Sequence, residues 1–180
     1  VAGWVSGSEV QNGEYVIDDP DEKAYLGSAQ PKFNLGFSTN ATWKWFDLSV
    51  AAYGMFGQKI LNATNMQLFT DTRMPNKNIP DKFAKQGIKP DKITYSDYWI
   101  EDGSFLRLQS ITLGFTIPGT KKWGLETLRV YGTIDNVCTI TGYSGLDPEI
   151  STSGLDNPGI DLCNVYPRTR SFIFGVNVSF

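Results

Sequence analysis

Carboxylates, cysteines and serines are the residues of this chain with the most obvious chemistry, and their spacing limits what that chemistry can be. Asp147, Glu149, Asp156 and Asp161 fall in one stretch, and several hard oxygen donors close in sequence could gather around Ca²⁺. They lack the D-x-[DN]-x-[DN]-G spacing that holds this ion, so a solvated loop is the expected reading. The run Asp18-Asp19-Pro20-Asp21-Glu22 reads the same way, as a turn or loop. Cys138 and Cys163 lie too far apart for a C-x-x-C motif and are too few for a disulfide scaffold, so they could pair or stay free. The chain has no His, so neither Ser nor Cys has its commonest activating base, and the commonest transition-metal ligand is missing. Gly114 and Gly132 precede no helix start of the kind that cradles phosphate, and read instead as relief for close packing or strand curvature. No catalytic residue, metal or cofactor is therefore expected, and the chain is not read as an enzyme.

Composition narrows the partners. Charged residues make up 19% of the 180, below the usual share of about 25%, while aromatics reach 13% and glycines number 18, a balance that favours strands and turns. A net charge of −3 offers no overall basic field of the kind that attracts nucleic acid or anionic lipid headgroups. No apolar run of about 18 residues is present, so there is no transmembrane helix. No basic start with an apolar core follows Val1, so no signal peptide is expected there. If this chain meets a membrane, it must do so with strands.

The dominant period is two. Phe33, Leu35, Phe37, Ala41 and Trp43 share one face, and Lys32, Asn34, Ser38, Asn40 and Thr42 the other. After a tight Trp43-Lys44-Trp45 corner, Phe46, Leu48, Val50, Ala52 and Phe56 alternate with Asp47, Ser49 and Tyr53. Between Ser104 and Pro118, Ile111, Leu113, Phe115 and Ile117 alternate with Ser110, Thr112, Gly114 and Thr116, while Arg107 and Gln109 break the apolar face. A fourth strand is expected near Thr127 to Ile140, and a fifth carries Phe172, Phe174, Val176, Val178 and Phe180 against Ser171, Gly175, Asn177 and Ser179. A further strand is expected within Trp4 to Ile17.

The connections alternate. Those near Lys44 and from Gly119 to Glu126 are short; those from Gly57 to Gly103 and from Thr141 to Arg168 are long. Outer-membrane barrels pair short periplasmic turns with long extracellular loops, and on that assignment Trp43, Trp45, Trp123 and Phe180 all fall at the periplasmic rim, where an aromatic girdle is expected. Arg107 and Arg129 could then be ion pairs or charges in a solvated barrel interior, the latter being expected. A soluble sandwich also alternates, but it does not require this coincidence of girdle and loop length. Four to six strands cannot close a membrane barrel, for which about eight is the smallest single-chain number, and open edges are not tolerated in lipid. The remaining strands must come from elsewhere, so the fold class expected is an antiparallel transmembrane β-barrel of which this chain is a part.

Several blocks resemble the C-terminal part of the SusC/RagA family of TonB-dependent outer-membrane transporters from Bacteroidetes. Gly27-Ser28-Ala29-Gln30-Pro31-Lys32-Phe33 with Gly36, then Phe56-Gly57-Gln58-Lys59, are similar to the family's lead into and end of a late hairpin. Glu101-Asp102-Gly103-Ser104-Phe105-Leu106-Arg107-Leu108, running on to Leu113-Gly114-Phe115-Thr116-Ile117-Pro118, resembles its "D/E-x-G-S-F-L-R-L" block. Leu128-Arg129-Val130-Tyr131 with Asp135-Asn136, Tyr143-Ser144-Gly145-Leu146-Asp147-Pro148-Glu149 and Tyr166-Pro167-Arg168 match further family stretches in order. Val137-Cys138 departs from the usual Leu-Phe, and Phe115 from the usual Tyr.

The resemblance implies that residues 1–180 are the C-terminal part of a barrel of about 22 strands, with a plug domain and earlier strands outside this chain. It implies import of glycans or oligopeptides, energised through TonB by the absent N-terminal part, beneath a SusD-like surface lipoprotein. Gly175, Val178 and Phe180 match the Gly-x-x-Φ-x-Φ signal read by the barrel-assembly machinery. Tyr143, Asp147, Glu149 and Tyr166 become the candidates for a loop surface facing lid or substrate. The other classes of reading are a homotrimeric outer-membrane anchor, in which each chain lends four strands to a shared barrel, and a soluble all-β carbohydrate-binding domain.

Overall fold

The period-two stretches become one antiparallel sheet. A computed structural model describes residues 2–4, 10–11, 14–15, 23–68, 78, 81, 97–150, 158–161 and 166–180. Its strands among the described residues are β1 (Ala2–Trp4), β2 (Val10–Gln11), β3 (Glu14–Tyr15), β4 (Lys23–Tyr25), β5 (Phe33–Trp43), β6 (Phe46–Phe56), β7 (Lys59–Leu61), β8 (Ile100–Asp102), β9 (Phe105–Thr116), β10 (Thr127–Thr141) and β11 (Ser171–Ser179), and a short helix, α1 (Ala63–Leu68), follows β7. The described chain is thus mostly antiparallel strand. It divides into two compact units: 33–56, 105–141 and 167–180 form one, and 1–32, 57–104 and 142–166 the other.

The first unit is a five-stranded sheet in the order β11-β10-β9-β6-β5, every neighbouring pair antiparallel. Its strands run from 9 to 15 residues, enough to cross a hydrocarbon layer that needs about 9–11 tilted residues. Register carries the apolar face across all five. Ala41, Leu48, Leu113 and Gly132 lie on successive strands, as do Trp43, Phe46, Phe115, Val130 and Val176. The rings of Phe46 and Phe115 sit 4.8 Å apart on that face, and those of Phe33 and Phe56 stack at 4.9 Å.

The irregularity at Arg107 and Gln109 is a β-bulge. Against β6, Ala51 pairs with Ser110 and Ala52 with Leu108, so Gln109 is the extra residue. An inserted residue inverts the facing of everything beyond it. Leu106 and Leu108 therefore join the apolar face, opposite Ile140 and Cys138, while Phe105 and Arg107 move to the polar one. On β10 the same level is accommodated at Asn136 and Val137, and Asn136 takes a positive φ of 53°, a conformation Asn tolerates better than most residues.

The connections at 44–45 and 117–126 lie at one end of the sheet and the two long ones start from the other. Lys44 turns the tight corner with φ of 56°. Two expectations need correction. The strand anticipated within Trp4 to Ile17 is instead short pieces, β1 pairing with β4 and β2 with β3, in two-stranded sheets of their own. The stretch from Gly57 to Gly103 is not plain loop either, since it holds β7, α1, a 3-10 turn (Asp97–Trp99) and β8, with β7 and β8 paired. The Asp18 to Glu22 run, Asp156 and Cys163 lie outside the described residues.

Candidate functional site

The apolar face of the sheet is bare. Phe33, Leu35, Phe37, Leu113, Phe172, Val176 and Val178 are all exposed, and Phe174 reaches 83%. No second sheet covers it among the described residues. Soluble monomers rarely leave a contiguous apolar surface open across five neighbouring strands. Its chemistry is that of a surface made for hydrocarbon. At the turn end it is edged by Trp43, Trp45 and Trp123, all exposed, and by Phe180 at 89%.

The opposite face is polar and tightly stitched. Asp47, Gly114, Tyr131 and Gly175 stand on one rung across β6, β9, β10 and β11. Arg129 on β10 reaches over β9 to bind Asp47 in a two-pronged pair, Nε to Oδ1 at 2.9 Å and Nη2 to Oδ2 at 2.5 Å. That reach needs Gly114, because a Cβ there would lie 2.4 Å from both Arg129 Nη2 and Asp47 Oδ1. The Arg129 guanidinium lies 4.9 Å from the centre of the Tyr131 ring, a distance for cation–π attraction. Tyr131 in turn covers Gly175, where a Cβ would lie 2.4 Å from its Cζ. On the apolar face Phe174 lies beside Gly132 at ordinary van der Waals distance, 3.5 Å from a would-be Cβ. The expectation of close packing holds at Gly114 but not at Gly132, where a Cβ would meet only ordinary contacts; the expectation that Arg129 is simply a solvated charge does not hold.

Arg107 needs a larger correction. Carried to the polar face by the bulge, it is 3% exposed. Its Nε donates to Thr139 Oγ1 at 3.0 Å and its Nη1 to the Tyr53 hydroxyl at 3.4 Å, and its guanidinium lies 5.4 Å from the Phe105 ring centre. Above it the bulge is clasped from both sides. Asn136 Nδ2 donates to the carbonyls of Arg168 and Thr169, while Arg170 Nη2 donates to that of Val137. The clasp holds β10 to the approach of β11 beyond Ser171, where ladder pairing ends.

The second unit has two small apolar clusters, Ile60 with Tyr143 and Ile150, and Leu61 with Ala63, Met66 and Trp99. Its polar hub is Asn62, 1% exposed. Asn62 Oδ1 accepts from the Asn65 backbone N–H at 2.8 Å, capping α1. Its Nδ2 donates to Glu101 Oε1 at 2.9 Å and to Ser144 Oγ at 3.2 Å. Glu101 also receives the Ser144 backbone N–H and hydroxyl, each at 2.7 Å. Two sequence blocks far apart in the chain are thereby clamped together. Gly103 is held between Ile60 and Gln58, with its N–H on the Gln58 carbonyl at 3.0 Å. Hydrogen bonds from the Ser104 hydroxyl and backbone N–H, with Lys59 Nζ at 3.6 Å, hold the Asp102 carboxyl below its usual range.

The residues singled out from sequence are distributed unevenly. Asp147 and Asp161 are buried rather than solvated: Asp161 accepts from the Tyr143 hydroxyl at 2.8 Å, and Asp147 Oδ1 accepts from the Glu149 backbone N–H at 2.9 Å. As surface-facing candidates Tyr143 and Asp147 therefore need correction: both side chains are interior to the unit, where they hold its loop. Glu149 is half-buried, and Tyr166 is 80% exposed. Val178 and Phe180 lie on the apolar side, and Gly175 beneath Tyr131. Sequence reasoning missed Asn62, Glu101 and Ser144 as a cluster, and Asp47 as the partner of Arg129. The available signals were the mid-strand Gly114 and the E-D-G-S-F block.

No family model matches the chain. Among known proteins, "TonB-dependent receptor P3" of Formosa agariphila is 28% identical over 186 residues, covering 94% of this chain and 18% of the relative. "TonB-dependent receptor SusC" of Bacteroides thetaiotaomicron is 30% identical over 183 residues, covering 94% of this chain and 17% of the relative. Among solved structures, "Structure of the RagAB peptide transporter" matches with a TM-score of 0.73 at 21% identity, over 99% of this chain and 22% of that one. The RagAB peptide importer in its "open-open" state gives 0.67 at 23%, over 98% and 20%. This second likeness is one of fold, a stretch of barrel wall with its loops. The chain spans about a fifth of the length of the proteins it matches.

Proposed function

Because this chain belongs to the SusC/RagA family of TonB-dependent receptors, we propose that it supplies the C-terminal strands and two extracellular loops of an outer-membrane nutrient importer. The observation that carries the reading is the bare apolar face spanning five strands, backed by a stitched polar face. A soluble carbohydrate-binding domain would have to hide that face from water, and neither the Trp rim nor the family suggests a shared trimeric anchor. On this reading the apolar face meets lipid in the outer membrane of a Gram-negative cell, the polar face lines the barrel interior, and the rest of the wall and a plug domain come from other parts of the same polypeptide. The protein is a transporter and not an enzyme.

The cargo class is glycan or oligopeptide; the RagAB structures are named for a peptide cargo, and the glycan alternative rests on the family resemblance alone. Energy arrives through TonB by way of the part outside this chain. The two long connections meet a SusD-like lipoprotein, with Tyr166 and Glu149 at their accessible surface and Tyr143 and Asp147 in the interior of the loop they hold. Gly175, Val178 and Phe180 present the terminal strand to the barrel-assembly machinery. The test is made on the full polypeptide in its own cell. A heat-modifiable band in the outer-membrane fraction, a co-purifying lipoprotein, and loss of uptake of labelled oligopeptides or oligosaccharides on deletion are expected. A band in the soluble fraction, or unchanged uptake of both cargo classes, would refute the reading.

A further inference from the structure

The rim at the turn end carries a feature that hydrocarbon contact alone does not explain. Lys44 occupies the tight corner between β5 and β6, with its Nζ 5.2 Å from the centre of the Trp43 ring. Lys121 and Lys122 lie exposed in the 3-10 turn Thr120–Trp123, which is bounded by Gly119 and Gly124, both with positive φ. The two turns adjoin, for the Thr116 backbone N–H donates to the Trp45 carbonyl at 2.8 Å. Three lysines and three exposed tryptophans thus share one stretch of rim. Of the carboxylates on the adjoining strand ends, Glu126 receives the Ser179 hydroxyl and Asp47 is engaged by Arg129. A cationic rim on a chain of net charge −3 runs against the overall balance.

Indole rings settle at the boundary between hydrocarbon and headgroups. Lysine stems lie along apolar surface and deliver their ammonium groups to the same level. Compact ammonium charges at that depth face phosphodiesters, and each contributes to attraction when the headgroup bears a net negative charge. A zwitterionic headgroup brings its own cation and gives much of that attraction back. Resting on the outer-membrane reading, in which the short turns face the periplasm, we propose that Lys44, Lys121 and Lys122 with Trp43, Trp45 and Trp123 form a docking surface for an anionic glycerophospholipid of the periplasmic leaflet. The tryptophans border its glycerol and acyl region, and the lysines hold its phosphodiester.

The experiment uses the full-length receptor, purified in a mild detergent and offered phosphatidylglycerol and phosphatidylcholine of matched chains in equal amounts, with retained lipid read by native mass spectrometry. The wild type should retain phosphatidylglycerol preferentially. Lys44→Asn with Lys121→Gln and Lys122→Gln should cut that preference by about tenfold or more, with heat-modifiable folding kept, Asn being chosen because it tolerates a positive φ. Lys121→Gln with Lys122→Gln alone, which leaves the tight corner untouched, should cut it partially. Equal retention of the two lipids by the wild type, a preference that survives the triple substitution, or stronger capture of lipopolysaccharide by the same lysines would overturn the proposal while leaving the barrel standing. A protein that is stable without detergent and holds neither lipid would overturn both.

Discussion

Gly114→Ala is the substitution whose effect follows most directly from the geometry. The added methyl would sit 2.4 Å from Arg129 Nη2 and from Asp47 Oδ1, well inside contact distance, so the two-pronged pair between β10 and β6 has to open. Both partners are about a quarter exposed, and hydrogen bonds to charged groups contribute roughly 1.5–3 kcal/mol each where water is largely excluded. Some of that returns when the freed groups find water in the barrel interior, leaving an expected loss of about 2 kcal/mol. If the pair is absent from the transition state for unfolding, the rate at fixed denaturant rises by up to about thirtyfold. The assay is loss of the heat-resistant folded band of the reconstituted receptor with time. A second background isolates the cause: in Asp47→Ala the pair is already gone and its oxygens no longer crowd the site, so Gly114→Ala should cost much less there. Equal costs in both backgrounds would refute the idea that Gly114 exists to let Arg129 reach Asp47.

Asp102 is held below its usual value of 3.8 in the folded loop, so its contribution is fully present above that pH and disappears as the pH falls through the lower folded value. Limited proteolysis of the 57–104 segment should accelerate in that acid window, and Asp102→Asn should remove the dependence. Asn62→Ala uncaps α1 and strips Glu101 and Ser144 of a shared donor, so the same segment should become protease-sensitive at neutral pH while the barrel band stays heat-modifiable; a resistant loop would show that Asn62 is not its hub. Val176→Arg on the apolar face should destabilise the inserted barrel by about 2–4 kcal/mol, whereas Asn177→Arg on the neighbouring polar position should be tolerated. Equal sensitivity in insertion assays would count against the facing assigned to β11.

Much of the sheet was legible because alternation is local. Phe33 to Trp43 and Phe172 to Phe180 announce two faces within a few residues, and the turn at Lys44 fixes the register of β5 on β6. The break at Arg107 and Gln109 was visible as an exception, yet its meaning lay in the pairing with β6 and β10, since a bulge is defined by two strands and not by one. Rung partners were invisible for the same reason: that Tyr131 covers Gly175, or that Arg129 meets Asp47 across Gly114, depends on register between strands far apart in the chain. The loop carboxylates misled because polarity in a loop suggests solvation, whereas Asp161 and Asp147 are satisfied internally by Tyr143 and by their own turn. Glu101 stood inside a recognisable block, but its partners Asn62 and Ser144 are brought to it only by the tertiary fold.

Spin labels placed singly along β11 of the full receptor in bilayers, in a background with Cys138 and Cys163 replaced by Ser, test the central claim most directly. Labels at Phe172, Phe174, Val176 and Val178 should collide freely with oxygen dissolved in lipid and be shielded from a water-soluble nickel reagent, with labels at Ser171 and Asn177 out of phase with them. The same accessibility at all six positions, or access of the water-soluble reagent to Phe174 and Val176, would contradict a lipid-facing wall.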